Sequence, residues 1–211
     1  MTERPRGGGR PHLILASASP RRSEILRGLG LSHQIRPAHV DETPLADESP
    51  SSLTERLARA KAMAVLAHTE GVPVVGGDTV VALDGEILGK PVDADQAVAM
   101  LLQLSGRDHH VYSGLALAMV SPEEDVRVVS GVQATRVRFR PFDAEVAAAY
   151  VATGEPMDKA GAYGIQGLGA VLVEEIQGDH SGVVGLPISL LVRLLGEVGM
   201  PYRFPASVPG G

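Results

Sequence analysis

The sequence predicts an α/β fold with a mixed sheet, on three observations. Apolar runs of strand length alternate with amphipathic helical segments along the chain. Two long strand candidates, 110–120 and 126–139, are separated only by the turn Ser121-Pro122-Glu123-Glu124-Asp125, so part of the sheet must be antiparallel. No internal repeat or long linker divides the 211 residues. The reading is one elongated domain over 12–204, or two lobes around a cleft, between flexible tails at 1–11 and 205–211.

Each element has a local reason. His12 to Ala16 is a short apolar run suited to a buried strand. Ser19 then stands as an N-cap with Pro20 at the first helical position, and Gly30 can end that helix. His33 to Val40 reads as a second strand, followed by a polar loop. Leu53, Leu57, Ala60 and Ala64 keep helical spacing over 51–68. Val72–Val75 and Thr79–Leu83 are β-rich pieces joined through Gly76-Gly77-Asp78, with a hairpin-type turn at Asp84-Gly85 before strand Glu86–Leu88. Asp93 and Gln96 have capping-box spacing, with Ala97, Met100, Leu101 and Leu104 on one face. Asp143 caps a helix to about Val151. Ala170 to Ile176 is a strand, and Leu186-Pro187 opens the last helix.

Composition removes several function classes. There is no cysteine, which rules out disulfide frameworks, thiolate metal sites and thiol catalysis. The net charge of −6 and the scarcity of aromatics (three Phe, four Tyr, no Trp) argue against a nucleic-acid binder. No apolar run approaches the roughly 20 residues of a membrane span. No signal-peptide pattern follows the basic start, so the default location is the cytoplasm. Only three of the 19 basic residues are lysines: Lys61, Lys90 and Lys159. A coding bias toward arginine suits that ratio, and the remaining lysines are candidates for chemistry that arginine does not supply.

Candidate chemistry falls in six places. The helix opened by Ser17-Ala18-Ser19-Pro20-Arg21-Arg22 carries two cations at a terminus that is already positive. Two guanidiniums there, beside two hydroxyls, favour a bound polyanion over solvated arginines. Asp78, after two glycines at a strand end, is either a metal or base carboxylate or an ordinary turn residue; the spacing leaves both open. Gly89-Lys90-Pro91 lacks P-loop spacing and, taken alone, fits a solvated lysine. Lys61 sits beside the apolar face of its helix, and its spacing favours a snorkelled side chain over one pointing into a cleft. Five glycines between 154 and 169 suggest a loop held close to a ligand, with Gln166 able to offer a donor and an acceptor to a base edge. Glu42, after a strand, could hold a hard cation. His33, His39, His109 and His110 lack metal-ligand spacing and read as structural or exposed, and Asp108 and His109, as strand neighbours, face opposite sides.

Taken together, LILASASPRRSEILRGLG, LARAKA, GGDTVVALDGEILGKP, LLQLSGRDHHVYSG, GEPMDKAGAYGIQGLGAVLVEEIQGD and VVGLPISLL resemble, in order over about 12–198, the Maf family of nucleoside triphosphate pyrophosphatases. The form KAGAYGIQG is similar to the branch acting on dTTP and UTP. The resemblance implies an elongated α/β fold with a deep central cleft, related to the inosine triphosphate pyrophosphatases, with a Mg²⁺ or Mn²⁺ requirement and frequent homodimers. By resemblance Asp78 is the proton acceptor, and Arg21, Thr79 and Gln166 match positions linked to substrate choice. Ser19, Arg22, Glu42, Lys61 and Lys90 match phosphate- and metal-binding positions, with Glu42 and Asp78 the metal carboxylates and Ser17 beside the phosphate group. Gly178-Asp179-His180-Ser181-Gly182 departs from the family pattern, which has a Ser and an aromatic there. A competing expectation is a binding protein that restrains cell division, a role associated with the family name.

Overall fold

The computed structural model describes residues 13–69, 71–121 and 125–205. The tail 1–11 lies outside the described residues, as do His12, the turn residues 122–124 and all but Pro205 of the second tail. The elements run β1 (Leu13–Leu15), α1 (Pro20–Gly28), β2 (His33–Ile35), α2 (Pro50–Leu66), β3 (Val74–Leu83), β4 (Glu86–Leu88), α3 (Ala94–Leu104), β5 (Asp108–Val120), β6 (Val126–Phe139) and α4 (Ala144–Ala152). Three 3₁₀ turns follow, at Glu155–Asp158, Ala160–Ala162 and Gly167–Leu172, then β7 (Val173–Gln177), α5 (His180–Val184) and α6 (Ile188–Glu197).

The seven strands among the described residues form one mixed sheet, in the order β2-β1-β3-β5-β6-β7, with β4 also on β3. β1 is parallel to β2 and β3, and the other pairings are antiparallel. The α/β mixed-sheet expectation holds. The caps read from sequence form as expected: Ser19, Asp93 and Asp143 each accept from a backbone N–H in the first turn of their helices. Helix α2 covers one face through Ala58, Ala62 and Val65, packed on Ile14, Val74 and Ala116. Helices α1 and α6 cover the other through Leu26, Leu191 and Leu194, packed on Leu13, Leu15, Val75 and Leu115. At the far end α3 and α4 close over Val111, Val137 and Phe139. Among the described residues no helix is long and apolar enough to cross a membrane.

One feature of the ladder positions the site. The edge of β3 away from β5 is shared by two short partners. β1 pairs with it at Val74 and Val75, and β4 pairs with it only from Val81 onward. Residues 76–80 therefore run along an edge that neither partner covers, and Asp78 and Thr79 stand on that bare stretch.

The structure departs from the sequence reading in five places. Gly76-Gly77-Asp78 does not join two strands, because β3 runs through it without a break. A Cβ on Gly76 would come within 2.2 Å of the Ala58 carbonyl and 2.7 Å of the Ala62 nitrogen, so the glycine is there to admit the backbone of α2. β2 stops at Ile35 instead of reaching Val40, since its partner β1 has only three residues. β5 starts at Asp108, two residues early, because Asp108 and His109 pair with Arg138 and Val137. Ala170–Leu172 belongs to a 3₁₀ turn, with strand only from Val173. Helix α5 was not anticipated; Asp179 caps it, accepting from the Gly182 N–H at 3.1 Å.

Candidate active site

A cleft of about 960 Å³ opens over the bare stretch of β3. That volume lies at the upper end of the roughly 300–1,000 Å³ usual for small-molecule sites. Every residue singled out from sequence lines it: Ser17, Ser19, Arg21, Arg22, Glu42, Lys61, Asp78, Thr79, Lys90 and Gln166. So do all three lysines of the chain. The lining carries five basic side chains against four acidic ones, in a protein whose net charge is −6.

Strand alternation sorts the site into two groups. Asp78 shares a face with Gly76 and looks toward α2. Lys61, one turn along from the Ala58 contact, points inward and is only 8% exposed. The snorkelled arrangement is thus overturned: the close approach at Gly76 draws this face of α2 onto the strand. The Lys61 Nζ lies 2.7 Å from Asp78 Oδ1 and 2.6 Å from Glu42 Oε1. Asp78 is buried, on a strand and not in a turn. Its other oxygen, Oδ2, has no hydrogen bond among the described residues.

Thr79 and Gly77 face the other way, toward α1. Arg22 does not stack on its helix end. Its side chain crosses Gly77, where a Cβ would stand 3.4 Å from the Arg22 Nε. It donates from Nε to the Gly185 carbonyl (2.8 Å), from Nη1 to Ser17 Oγ (2.9 Å) and from Nη2 to Thr79 Oγ1 (3.1 Å). Among the described residues three of the five guanidinium N–H groups are used, leaving two without a partner there. Burial pulls the Arg22 pKa down while Asp78 pulls it back up; a guanidinium stays a cation regardless. Ser113 Oγ, fully buried, hydrogen-bonds Thr79 Oγ1 at 3.0 Å and donates to the Gly182 carbonyl at 2.6 Å.

The unusual loop takes its place in this scaffold. Asp179 accepts from Ser181 Oγ and Ser189 Oγ as well as from Gly182, and thereby fixes α5. The end of α5 supplies the Gly185 carbonyl that holds Arg22. Burial alone would raise the Asp179 carboxyl, but these bonds outweigh it and hold its pKa below the ordinary value.

At the mouth, Arg21 reaches Asp158 (3.4 Å), which also accepts from Lys159 (2.6 Å). Lys159, and secondarily Arg21, keep the Asp158 carboxyl below its ordinary range. Lys90 and Gln166 are exposed on the cleft wall. Tyr150 and Glu155, which sequence reasoning passed over, organise the glycine-rich segment; the spacing of its glycines was the available signal. The histidines are structural or exposed: His33 Nε2 lies 2.7 Å from Ser23 Oγ, while His39 and His110 are exposed. His109 is buried against Phe139 with Nε2 2.8 Å from the Tyr163 hydroxyl, and Asp108 points the opposite way, to Arg136.

Fold and cleft together define a class: a mixed-sheet α/β protein that gathers cations and paired carboxylates around an uncovered strand edge. Within that class the chain belongs to the Maf-like protein family, whose profile matches residues 12–198. A dTTP/UTP pyrophosphatase of Symbiobacterium thermophilum is 48% identical over 189 residues, covering 90% of this chain and 95% of the relative. One of Myxococcus xanthus is 48% identical over 195 residues, covering 92% and 96%. A solved structure, the Staphylococcus aureus Ham1 protein, is a distant likeness: 14% identity, 90% and 91% coverage, and a TM-score of 0.43.

Proposed function

We propose that this chain is a nucleoside triphosphate pyrophosphatase that hydrolyses dTTP and UTP to the nucleoside monophosphate and pyrophosphate. Relatives with that activity in their names, 45–48% identical over nearly their whole length, support the reading over a division-restraining binding protein. The observation that carries the chemistry is the Lys61 ammonium held between Asp78 and Glu42 in the cleft that Arg22 enters from the opposite face of β3.

Water attacks the α-phosphorus, the bond from that phosphorus to the bridging oxygen breaks, and pyrophosphate leaves. Asp78 Oδ2, without a hydrogen bond of its own, accepts the proton of the attacking water. Lys61 holds Oδ1 and so fixes the carboxylate plane. Arg22, with two N–H groups unpaired among the described residues, and Lys90 and Arg21 at the rim offset charge on the triphosphate and the leaving pyrophosphate. Ser17 and Thr79 orient Arg22, and Ser19 caps the helix whose N-terminus faces the phosphates. The Gln166 amide reads the N3–H and O4 edge shared by uracil and thymine.

The residues present fit a divalent cation. Asp78 and Glu42 are hard oxygen donors that converge on one ammonium, and Mg²⁺ commonly takes one or two carboxylates together with substrate phosphates. No group of three potential ligands occurs among the described residues, so the cation would be held jointly with the nucleotide. Bound there, Mg²⁺ or Mn²⁺ would polarise the phosphoryl oxygens.

The test is pyrophosphate release from a panel of nucleoside triphosphates with Mg²⁺. dTTP and UTP should give the monophosphate and pyrophosphate, and CTP, ATP and GTP much less. Asp78→Asn should lower kcat for dTTP about 10²–10⁴-fold while the protein stays folded. Orthophosphate as the product, or near-normal turnover by that variant, contradicts the reading.

A further inference from the structure

The Gln166 side chain is exposed on the cleft wall, yet the backbone on both sides of it is fixed by one partly buried cluster. The Gly164 N–H donates to the Tyr150 hydroxyl at 3.1 Å. That hydroxyl donates to Glu155 Oε1 at 2.9 Å. The same Oε1 accepts from the Gly169 N–H and Oε2 from the Leu168 N–H, both at 3.0 Å. The segment is therefore clamped two residues before Gln166 and again two and three residues after it. No side-chain hydrogen bond holds the Gln166 amide among the described residues.

Packing enforces the same arrangement. A Cβ on Gly169 would fall 2.2 Å from the Gly164 carbonyl and 2.5 Å from the Tyr150 hydroxyl. The glycines here make room for the clamp, where the sequence suggested room for a ligand. Burial alone would raise the Glu155 carboxyl, but the bonds from Gly169, Leu168 and Tyr150 outweigh it and hold its pKa below the ordinary value. It is thus a charged acceptor with both oxygens engaged.

We infer that Glu155, seconded by Tyr150, is the positioning residue that sets base selectivity, by presenting Gln166 at a fixed depth in the cleft. The inference rests on the reading of Gln166 as the group that meets the pyrimidine edge. A glutamine at 155 could still accept from Tyr150 and Gly169 through its oxygen. Its amide group would then confront the Leu168 N–H, two donors face to face, so one side of the clamp opens.

The experiment is a double-mutant cycle read as a ratio, kcat/KM for dTTP over kcat/KM for CTP, on the full chain. A ratio does not depend on how much of a preparation is folded, so a merely structural loss leaves it unmoved. Glu155→Gln and Gln166→Ala should each reduce the ratio about 10-fold, and the double variant should fall no further than the worse single. Tyr150→Phe, which removes the hydroxyl between Gly164 and Glu155, should reduce the ratio in the same direction, and provides the second arm if the Glu155 variant does not fold. If Gln166→Ala lowers the ratio while Glu155→Gln and Tyr150→Phe leave it unchanged, or if the effects multiply, the positioning role is overturned. If Gln166→Ala itself keeps the wild-type ratio, the base-edge reading fails and this inference falls with it.

Discussion

Gly76→Ala tests how packing makes the site. The added Cβ would sit 2.2 Å from the Ala58 carbonyl and 2.7 Å from the Ala62 nitrogen, whereas real Cβ atoms essentially never approach closer than 3.0 Å. Both atoms are backbone, so no rotamer change relieves the clash, and α2 must retreat from β3 by roughly 1 Å to restore ordinary contact. Overpacking of this kind costs about 1–3 kcal/mol, and a rigid backbone neighbour puts the cost near the top of that range. For a chain of this size about 3 kcal/mol lowers Tm by roughly 6–12 °C. The same retreat carries Lys61 away from Asp78, now 2.7 Å apart. A misplacement of about 1 Å in a catalytic group can cost on the order of 10²-fold in rate. Urea or thermal unfolding gives the first quantity, and kcat/KM for dTTP at a temperature where the variant is folded gives the second. Gly28→Ala is the control: it lies in a helix with nothing within 4 Å of its added Cβ, so it should be neutral or slightly stabilising. Wild-type stability and turnover in Gly76→Ala would refute the claim that this glycine sets the position of Lys61.

Two further predictions follow from buried polar groups. Burial pushes the His109 imidazole down to about 4, against an ordinary value of 6.5. The unfolded chain therefore takes up the proton first as pH falls, and stability is lost between about pH 6.5 and pH 4. The contribution lost by pH 4.5 is about 2.5 kcal/mol. Urea unfolding at pH 7.0 and 4.5 should show a drop larger by that amount in wild type than in His109→Gln; equal drops would remove His109 as the cause. Ser113→Ala should cost about 1–2 kcal/mol, because it strips a fully buried donor from the Gly182 carbonyl and a partner from Thr79. It should also raise KM for dTTP as the Thr79–Arg22 contact loosens. A stability change without a change in KM would separate Ser113 from substrate binding.

The parts of the fold written in local chemistry were legible from sequence. Ser19, Asp93 and Asp143 cap where their side chains and spacing said they would, and the antiparallel pair β5–β6 followed from its short turn. What depends on contacts between distant segments was not. Gly76-Gly77 looks like a break in a strand, because sequence shows the flexibility of glycine and hides the helix backbone pressed against it. Lys61 beside an apolar stripe has two orientations, and only the position of α2 over β3 selects the inward one. The glycines of 154–169 signalled a close approach but not its partner, since the Tyr150 hydroxyl arrives from α4 and the Glu155 carboxylate reaches across from the far end of the segment. The identities of the cleft residues were visible in the motif pattern. That they meet at residues 76–80 of β3 depends on two short strands, β1 and β4, leaving that edge bare.

Hydrolysis of dTTP in ¹⁸O-enriched water tests the account most directly, because it reports which phosphorus is attacked by the water that Asp78 is proposed to activate. Mass spectrometry of the products should find one ¹⁸O in the dTMP phosphate and none in the pyrophosphate. Label in the pyrophosphate would mean attack at the β-phosphorus and would contradict the roles proposed for Asp78, Lys61 and Arg22.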